Sequence, residues 1–221
     1  NPTGSVYSKD ELEALAEVIK KHEGMYVLAD EIYEHINYIG KHESIAQFEG
    51  MKERSIIVNG VSKAYAMTGW RIGFIAAPQW IVKGCNKLQG QYTSGPCSVS
   101  QKAAEAAYTL PQDCVETMRQ AFERRRDLIV SLAKEIPGLE VNKPEGAFYL
   151  FPKCSSFFGK TDGQRTINNS TDFAMYLLEV GHVATVGGDA FGDPDCFRMS
   201  YATSDDNIKE AMSRIKNALS L

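Results

Sequence analysis

Apolar positions recur at helical spacing early in the chain, at Leu12, Leu15, Val18 and Ile19, and the pattern runs to about His22 before Gly24 stops it. Ser8, with Glu11 three residues on, makes a capping box, so the spacing predicts a helix that starts there. The periodicity then gives way to short apolar runs at 25–29, 55–58 and 72–77, each suited to a buried strand. Pro78 opens a helical region to about Tyr92, residues 93–96 break it, and a second helix runs to about Leu110. From Pro111 to Ile136 the pattern is helical throughout, and Pro137-Gly138 ends it.

Beyond that point the pattern changes to short strands at 139–141 and 147–151, with a turn at 143–146 and a polar, glycine-rich loop at 155–170. A helix at 171–180, a strand at 183–186, a glycine loop, a strand at 197–201 and a helix at 205–219 capped by Ser204 complete the chain. Helix and buried strands in this order predict an α/β fold built on an open, mainly parallel sheet. Two domains are expected, 1–110 and 111–221, with the boundary inside the long helix. Ligands of such sheets bind outside the carboxyl ends of the strands. Asp30 and Lys63 both fall at such ends, on one rim.

Composition narrows the function. The 221 residues can bury a sizeable core, and 24 basic against 28 acidic residues give a formal charge of -4. That balance argues against nucleic acid or an anionic membrane as the main partner. No apolar run reaches membrane-spanning length, and no signal-peptide pattern opens the chain. Five irregularly spaced cysteines without a CxxC pair, and four histidines at no metal spacing with them, read as reduced, mostly buried thiols of a cytosolic, cytoplasmic protein. Asn-Pro-Thr-Gly at residues 1–4 reads as a turn from the middle of a protein, so the chain is expected to be a fragment or a processed product.

The chemistry centres on residues 58–73, Val-Asn-Gly-Val-Ser-Lys-Ala-Tyr-Ala-Met-Thr-Gly-Trp-Arg-Ile-Gly. A lysine at the mouth of a buried strand is poorly solvated, which favours the neutral amine that a Schiff base with a carbonyl cofactor requires. Ser62, Thr68 and Arg71 are donors suited to a phosphate. Taken alone, Lys63 reads rather as an exposed loop lysine, Asp30 as a helix cap or loop carboxylate, Tyr33 as a packing aromatic and Asn1 as a turn residue. Asp30 could instead hold a pyridine nitrogen protonated. Arg198 interrupts an apolar strand and needs a partner, either an internal carboxylate or a bidentate substrate carboxylate. Arg124, Arg125 and Arg126 read as a solvated helix face.

In combination these signals are specific. Asn-Pro-Thr-Gly at 1–4, Asp-Glu-Ile-Tyr at 30–33, Ser-Lys-Ala-Tyr-Ala-Met-Thr-Gly-Trp-Arg-Ile-Gly at 62–73, Pro-Glu-Gly-Ala-Phe-Tyr at 144–149 and Arg-Met-Ser-Tyr-Ala at 198–202 occur in order. The set resembles the class I aminotransferases of pyridoxal-phosphate fold type I, and the bacterial aspartate aminotransferase subgroup most of all. The resemblance implies the later part of the large cofactor-binding domain followed by a small α/β domain, with the family's N-terminal part absent. It implies that Lys63 holds pyridoxal 5'-phosphate as a Schiff base and moves the substrate α-proton. Asp30 would pair with the pyridine nitrogen, Tyr33 and Asn1 would donate to the phenolic oxygen, and Ser62 and Arg71 would hold the phosphate. Arg198 would clamp the substrate α-carboxylate, with Asn1 beside it. The substrates implied are an amino acid and a 2-oxo acid, and the whole protein would be a homodimer.

One departure concerns Gly187-Gly188, where the family usually has Pro-Gly; it is expected to loosen that loop. Two other readings stay open: a related pyridoxal-phosphate enzyme acting on aromatic or other amino acids, and a non-catalytic aminotransferase-like effector-binding domain. These 221 residues alone are expected to be inactive and to associate through an uncovered side of the sheet.

Overall fold

The first helix, α1 (Lys9–Lys20), begins where the capping box places it. Ser8 Oγ accepts the Glu11 N–H at 3.3 Å, and the Glu11 carboxylate accepts the Ser8 N–H at 2.8 Å. Two orphan donors of the first turn are thereby satisfied. The helix buries Leu12 and Ala16 against Ile45 and Met51, and Ile19, Val27, Ala29 and Phe48 pack onto that cluster. The computed structural model that gives this picture describes residues 1–220.

Strand β1 (Val27–Asp30) pairs in parallel with β2 (Ser55–Gly60), Asp30 lying opposite Val58. Strand β3 (Gly73–Ala76) runs antiparallel to β2, giving the order β1-β2-β3. The α/β class is as expected, but this sheet is mixed where the sequence pattern suggests a mainly parallel one. The reason lies in residues 61–72, which hold only a 3₁₀ turn, Thr68–Trp70, and no crossover helix to bring the chain round in parallel. Gly60 faces Gly73 across the ladder, and a Cβ on Gly60 would lie 2.9 Å from the Gly73 Cα. Only glycine permits that approach.

The buried strand expected at 25–29 is buried on one face only. Val27 and Ala29 turn toward the α1 cluster, whereas Leu28 is 69% exposed and Asp30 is exposed. Helix α2 (Gln79–Tyr92) buries none of its residues and α3 (Ser98–Thr109) buries only Ser100.

Helix α4 (Asp113–Lys134) carries the chain onward. Beyond it come β4 (Tyr149–Leu150), α5 (Ser170–Glu179), β5 (Val186–Gly187), β6 (Phe197–Ser200) and α6 (Asp205–Ala218). The strands form an antiparallel sheet in the order β4-β6-β5. Phe157, Phe173 and Phe197 stack in its core with ring centroids 5.5 and 4.8 Å apart. Asn169 caps α5 and Ser204 caps α6. The strand expected at 139–141 reduces to one bridge, Glu140 with Lys153, and the one at 183–186 forms only at Val186–Gly187.

Two compact units result: Val6–Arg119, and Asn1–Ser5 together with the chain from Gln120 onward. Glycine explains the second membership. Gly4, at φ +74°, accepts the Glu145 and Gly146 N–H groups on its carbonyl, both at 2.8 Å. A Cβ there would meet the Pro144 Cβ at 2.5 Å.

Two expectations fail in detail. The three arginines are not a solvated face: Arg126 is 5% exposed, pairs with Asp127 and Glu123, and donates to the Pro144 carbonyl at 3.4 Å. Arg124 and Arg125 both reach Asp205 at the start of α6. The cysteines are all free, but only Cys154 and Cys196 are buried. Among the described residues no helix is long and apolar enough to cross a membrane.

Candidate active site

The rim at the carboxyl ends of β1 and β2 collects most of the predicted residues. Because the two strands are parallel, both end on the same edge, and the Glu31 N–H extends the ladder to the Val58 carbonyl at 2.9 Å. Asp30 closes β1, and its Oδ1 accepts the Ile32 N–H at 3.2 Å, leaving Oδ2 without a bond to any described residue. Lys63 stands three residues beyond the end of β2, in a turn where its carbonyl accepts the Ala66 N–H at 3.2 Å. Its Nζ lies 6.0 Å from the centroid of the Tyr33 ring. Lys63 and Tyr33 are therefore brought together.

Ala66 and Arg71 bracket the 3₁₀ turn at left-handed φ of 52°. For residues with a Cβ such a conformation costs on the order of 1–2 kcal/mol each, and strain of this kind gathers at functional sites. Arg71 is exposed and donates through Nη1 to the Thr68 carbonyl at 3.0 Å, so most of its fork remains for another acceptor. Ser62 is half-buried beside Lys63.

Behind Tyr33 lies a cluster that sequence reasoning missed. Glu31 accepts the Ser44 hydroxyl at 2.6 Å, and its other oxygen lies 3.0 Å from His42 Nε2. His42 Nε2 is buried there, and Glu31 is the group that faces it. Glu34 lies 3.2 Å from His35 Nε2 and accepts from the Asn59 side chain on β2. The bond to His35 holds Glu34 below the usual carboxylate range, and Glu31 raises His42 above the usual histidine value. The only sequence trace is two acids spaced around Tyr33 and two histidines nearby, which is no recognisable motif.

The other unit holds the remaining two residues. Arg198, on the central strand β6, donates through Nη1 to Asn1 Oδ1 at 2.7 Å. Its guanidinium lies 4.4 Å from the centroids of both Tyr149 and Phe191. No carboxylate pairs with it among the described residues, which removes the internal salt-bridge reading. A planar cation held between two rings keeps an edge for a bidentate carboxylate. Phe191 and Tyr149 are further residues that sequence reasoning missed as site components, though Tyr149 lies inside a motif it singled out.

Gly188, beside that loop, is tightly seated. A Cβ there would lie 2.0 Å from the Asp193 carbonyl oxygen and 2.3 Å from that of Cys196. Gly187 sits at φ -59°, an angle that proline also adopts.

The chain as a whole is similar to known proteins. The family model for aminotransferase class I and II matches residues 1–215. A bifunctional aspartate aminotransferase and glutamate/aspartate-prephenate aminotransferase of Petunia hybrida is 50% identical, over 99% of this chain and 47% of that protein. An aspartate aminotransferase of Rhizobium meliloti is 48% identical, over 99% of this chain and 54% of the relative. The crystal structure of the aspartate aminotransferase from Rhizobium meliloti superimposes with a TM-score of 0.93 at 47% identity, covering 99% of this chain and 55% of that one. An aromatic aminotransferase from Pyrococcus horikoshii gives 0.90 at 41%, covering 99% and 57%. The chain spans about half the length of the curated relatives it matches.

Proposed function

Because the chain belongs to the class I and II aminotransferases, we propose that the whole protein moves an amino group from an aspartate-like amino acid to a 2-oxo acid, using pyridoxal 5'-phosphate held on Lys63. The observation that carries this reading is the position of Lys63, just past β2, on the rim it shares with Asp30 and against Tyr33.

The residues present fit that cofactor. Its chemistry, when bound, is to draw electrons from the substrate α-carbon so that the α-proton becomes acidic. The carboxylate oxygen of Asp30 that bonds no described residue is matched to a protonated ring nitrogen. The Tyr33 hydroxyl would donate to the phenolic oxygen, and Ser62 and Arg71 would supply donors for the phosphate. Lys63 Nζ would hold the cofactor through its carbonyl carbon, and its free amine would carry the proton to and from the substrate α-carbon. Arg198 binds the substrate α-carboxylate in a fork-to-fork pair, with Asn1 fixing one arm of the guanidinium. The aspartate-like donor is supported by the relatives named aspartate aminotransferase. An aromatic donor is the second reading, favoured by the likeness to the Pyrococcus horikoshii enzyme. A homodimer is the assembly proposed for the whole protein.

The test is chemical. Borohydride reduction of the complete, cofactor-loaded protein followed by peptide mass spectrometry is expected to find the cofactor on Lys63. A label on any other lysine, or none, overturns the assignment. A panel of amino donors and oxo acids then separates aspartate from aromatic substrates.

A further inference from the structure

Tyr33 sits on the turn that follows Asp30 at the end of β1, and Ile36, 3% exposed, is the buried apolar residue at its far side. Its hydrogen bonds are local: the Glu34 N–H donates to the Glu31 carbonyl at 2.9 Å and the Ile36 N–H to the Tyr33 carbonyl at 2.8 Å. The pair of acids on either side of Tyr33 adds ties to the rest of the unit, beside the buried Ile36 and the edge contact of His35 with Tyr65. Glu31 reaches the returning chain at His42 and Ser44, and Glu34 reaches Asn59, which is 7% exposed and lies four residues before Lys63. The ligating atoms of Glu31, Glu34 and His42 all fall within 4.8 Å of one another.

We propose that His42, wedged against Glu31 and Glu34, is a positioning residue that holds the turn presenting Tyr33 to Lys63. The proposal rests on the reading above for the roles of Tyr33 and Lys63. Two half-buried carboxylates this close repel one another, and a cation between them turns the repulsion into a bridge. Ser44 donates to Glu31, and His35 and Asn59 engage Glu34, which leaves His42 as the group facing the second Glu31 oxygen. The groups acting on His42 are Glu31, Glu34 and Glu43; His35 acts through Glu34, whose charge is also felt by Tyr65.

The direction of pH dependence follows. His42 is raised in the fold, chiefly by Glu31. The clasp is therefore complete below the ordinary histidine value of about 6.5 and is lost as pH climbs through the raised value. Tyr33 should become less well ordered in the alkaline range, while Asp30, anchored by the β1–β2 ladder, stays in place.

Amide exchange in the complete protein without cofactor reads this directly, independently of whether Lys63 takes pyridoxal phosphate. Protection factors at Glu34 and Ile36 are expected to fall as pH passes the raised histidine value. His42→Gln should lower them roughly tenfold at acid pH and abolish the pH dependence, a loss typical of breaking a half-buried charged pair. His42→Arg, a permanent cation, should keep protection at every pH, and cofactor retention on dialysis should follow the same order. His42→Gln with parental protection and parental slope overturns the proposal. So does a loss of protection in His42→Arg equal to that in His42→Gln. If protection falls while cofactor retention stays at the parental level, the positioning role is refuted.

Discussion

Around Phe173 the chain stacks ring on ring: Phe157 and Phe197 flank it, and Tyr176, Leu177, Ile208, Met212 and Ile215 close the core from α5 and α6. Around β1 and α2 nothing comparable happens. Leu28 lies on one face of β1, Tyr26 just before the strand meets Trp80 of α2 edge to face, and all three are exposed, as are Leu88 and Tyr92. The opposite face of β1 is covered by the small α1 cluster. The unit carrying Arg198 thus holds its site residue on a strand supported from within. The unit carrying Lys63 holds its own on a rim whose order comes from one covered face, a glycine-to-glycine strand pairing and the acid–histidine cluster.

This comparison can be broken from its strong side first. Phe197→Ala, at a fully buried ring, should cost about 3–5 kcal/mol in chemical denaturation; a much smaller loss would mean the stack is not the anchor. Met51→Ala should cost about 2–5 kcal/mol, because Met51 is fully buried in the α1 cluster. If exchange protection across β1 and β2 survives that change, order on the rim comes from elsewhere.

Arg198→Lys probes chemistry rather than packing. A lysine loses the fork, so substrate binding should weaken by about 1.5–3 kcal/mol with cofactor binding unaltered. Equal losses in both titrations would remove Arg198 from carboxylate recognition. Ser8→Ala removes half of the capping box and should destabilise by about 1 kcal/mol on thermal unfolding. Leu28→Ser, on the uncovered face, should stay within about 0.5 kcal/mol by the same measurement. A large penalty there would show that this side chain is buried in the protein as it exists in solution.

Where pattern is local, the structure was legible in advance. The α1 capping box, the Ser204 cap, the helix breaks at 93–96 and 137–138, and the placement of Asp30 and Lys63 at strand ends are all short-range features. What escaped depends on partners distant in sequence. Leu28 belongs to an apolar run that reads as fully buried, but its exposure is set by what lies over each face. Arg126 sits in a run of three arginines, and only the fold brings Pro144 onto it while Asp205 takes the other two. The antiparallel direction of β3 follows from a connection without a helix, which apolar pattern does not encode. The rings on Arg198 come from β4 and from the turn after β5, unrelated in spacing.

The docking of Gly4 on Glu145 and Gly146 makes the chain's topology that of an insertion, with Val6–Arg119 threaded between two parts of one unit. Forming those two backbone bonds closes a loop over the whole inserted unit. The entropy of closing a flexible loop grows only by about 0.6 kcal/mol for each doubling of its length, so the span itself is tolerable. Order of events is the greater consequence. The inserted unit is continuous and can organise from near neighbours, whereas the Gly4 contact spans long sequence separation and belongs late in folding. Asn1, three residues before Gly4, reaches Arg198 through that same closure, so the guanidinium site depends on a contact that spans the inserted unit.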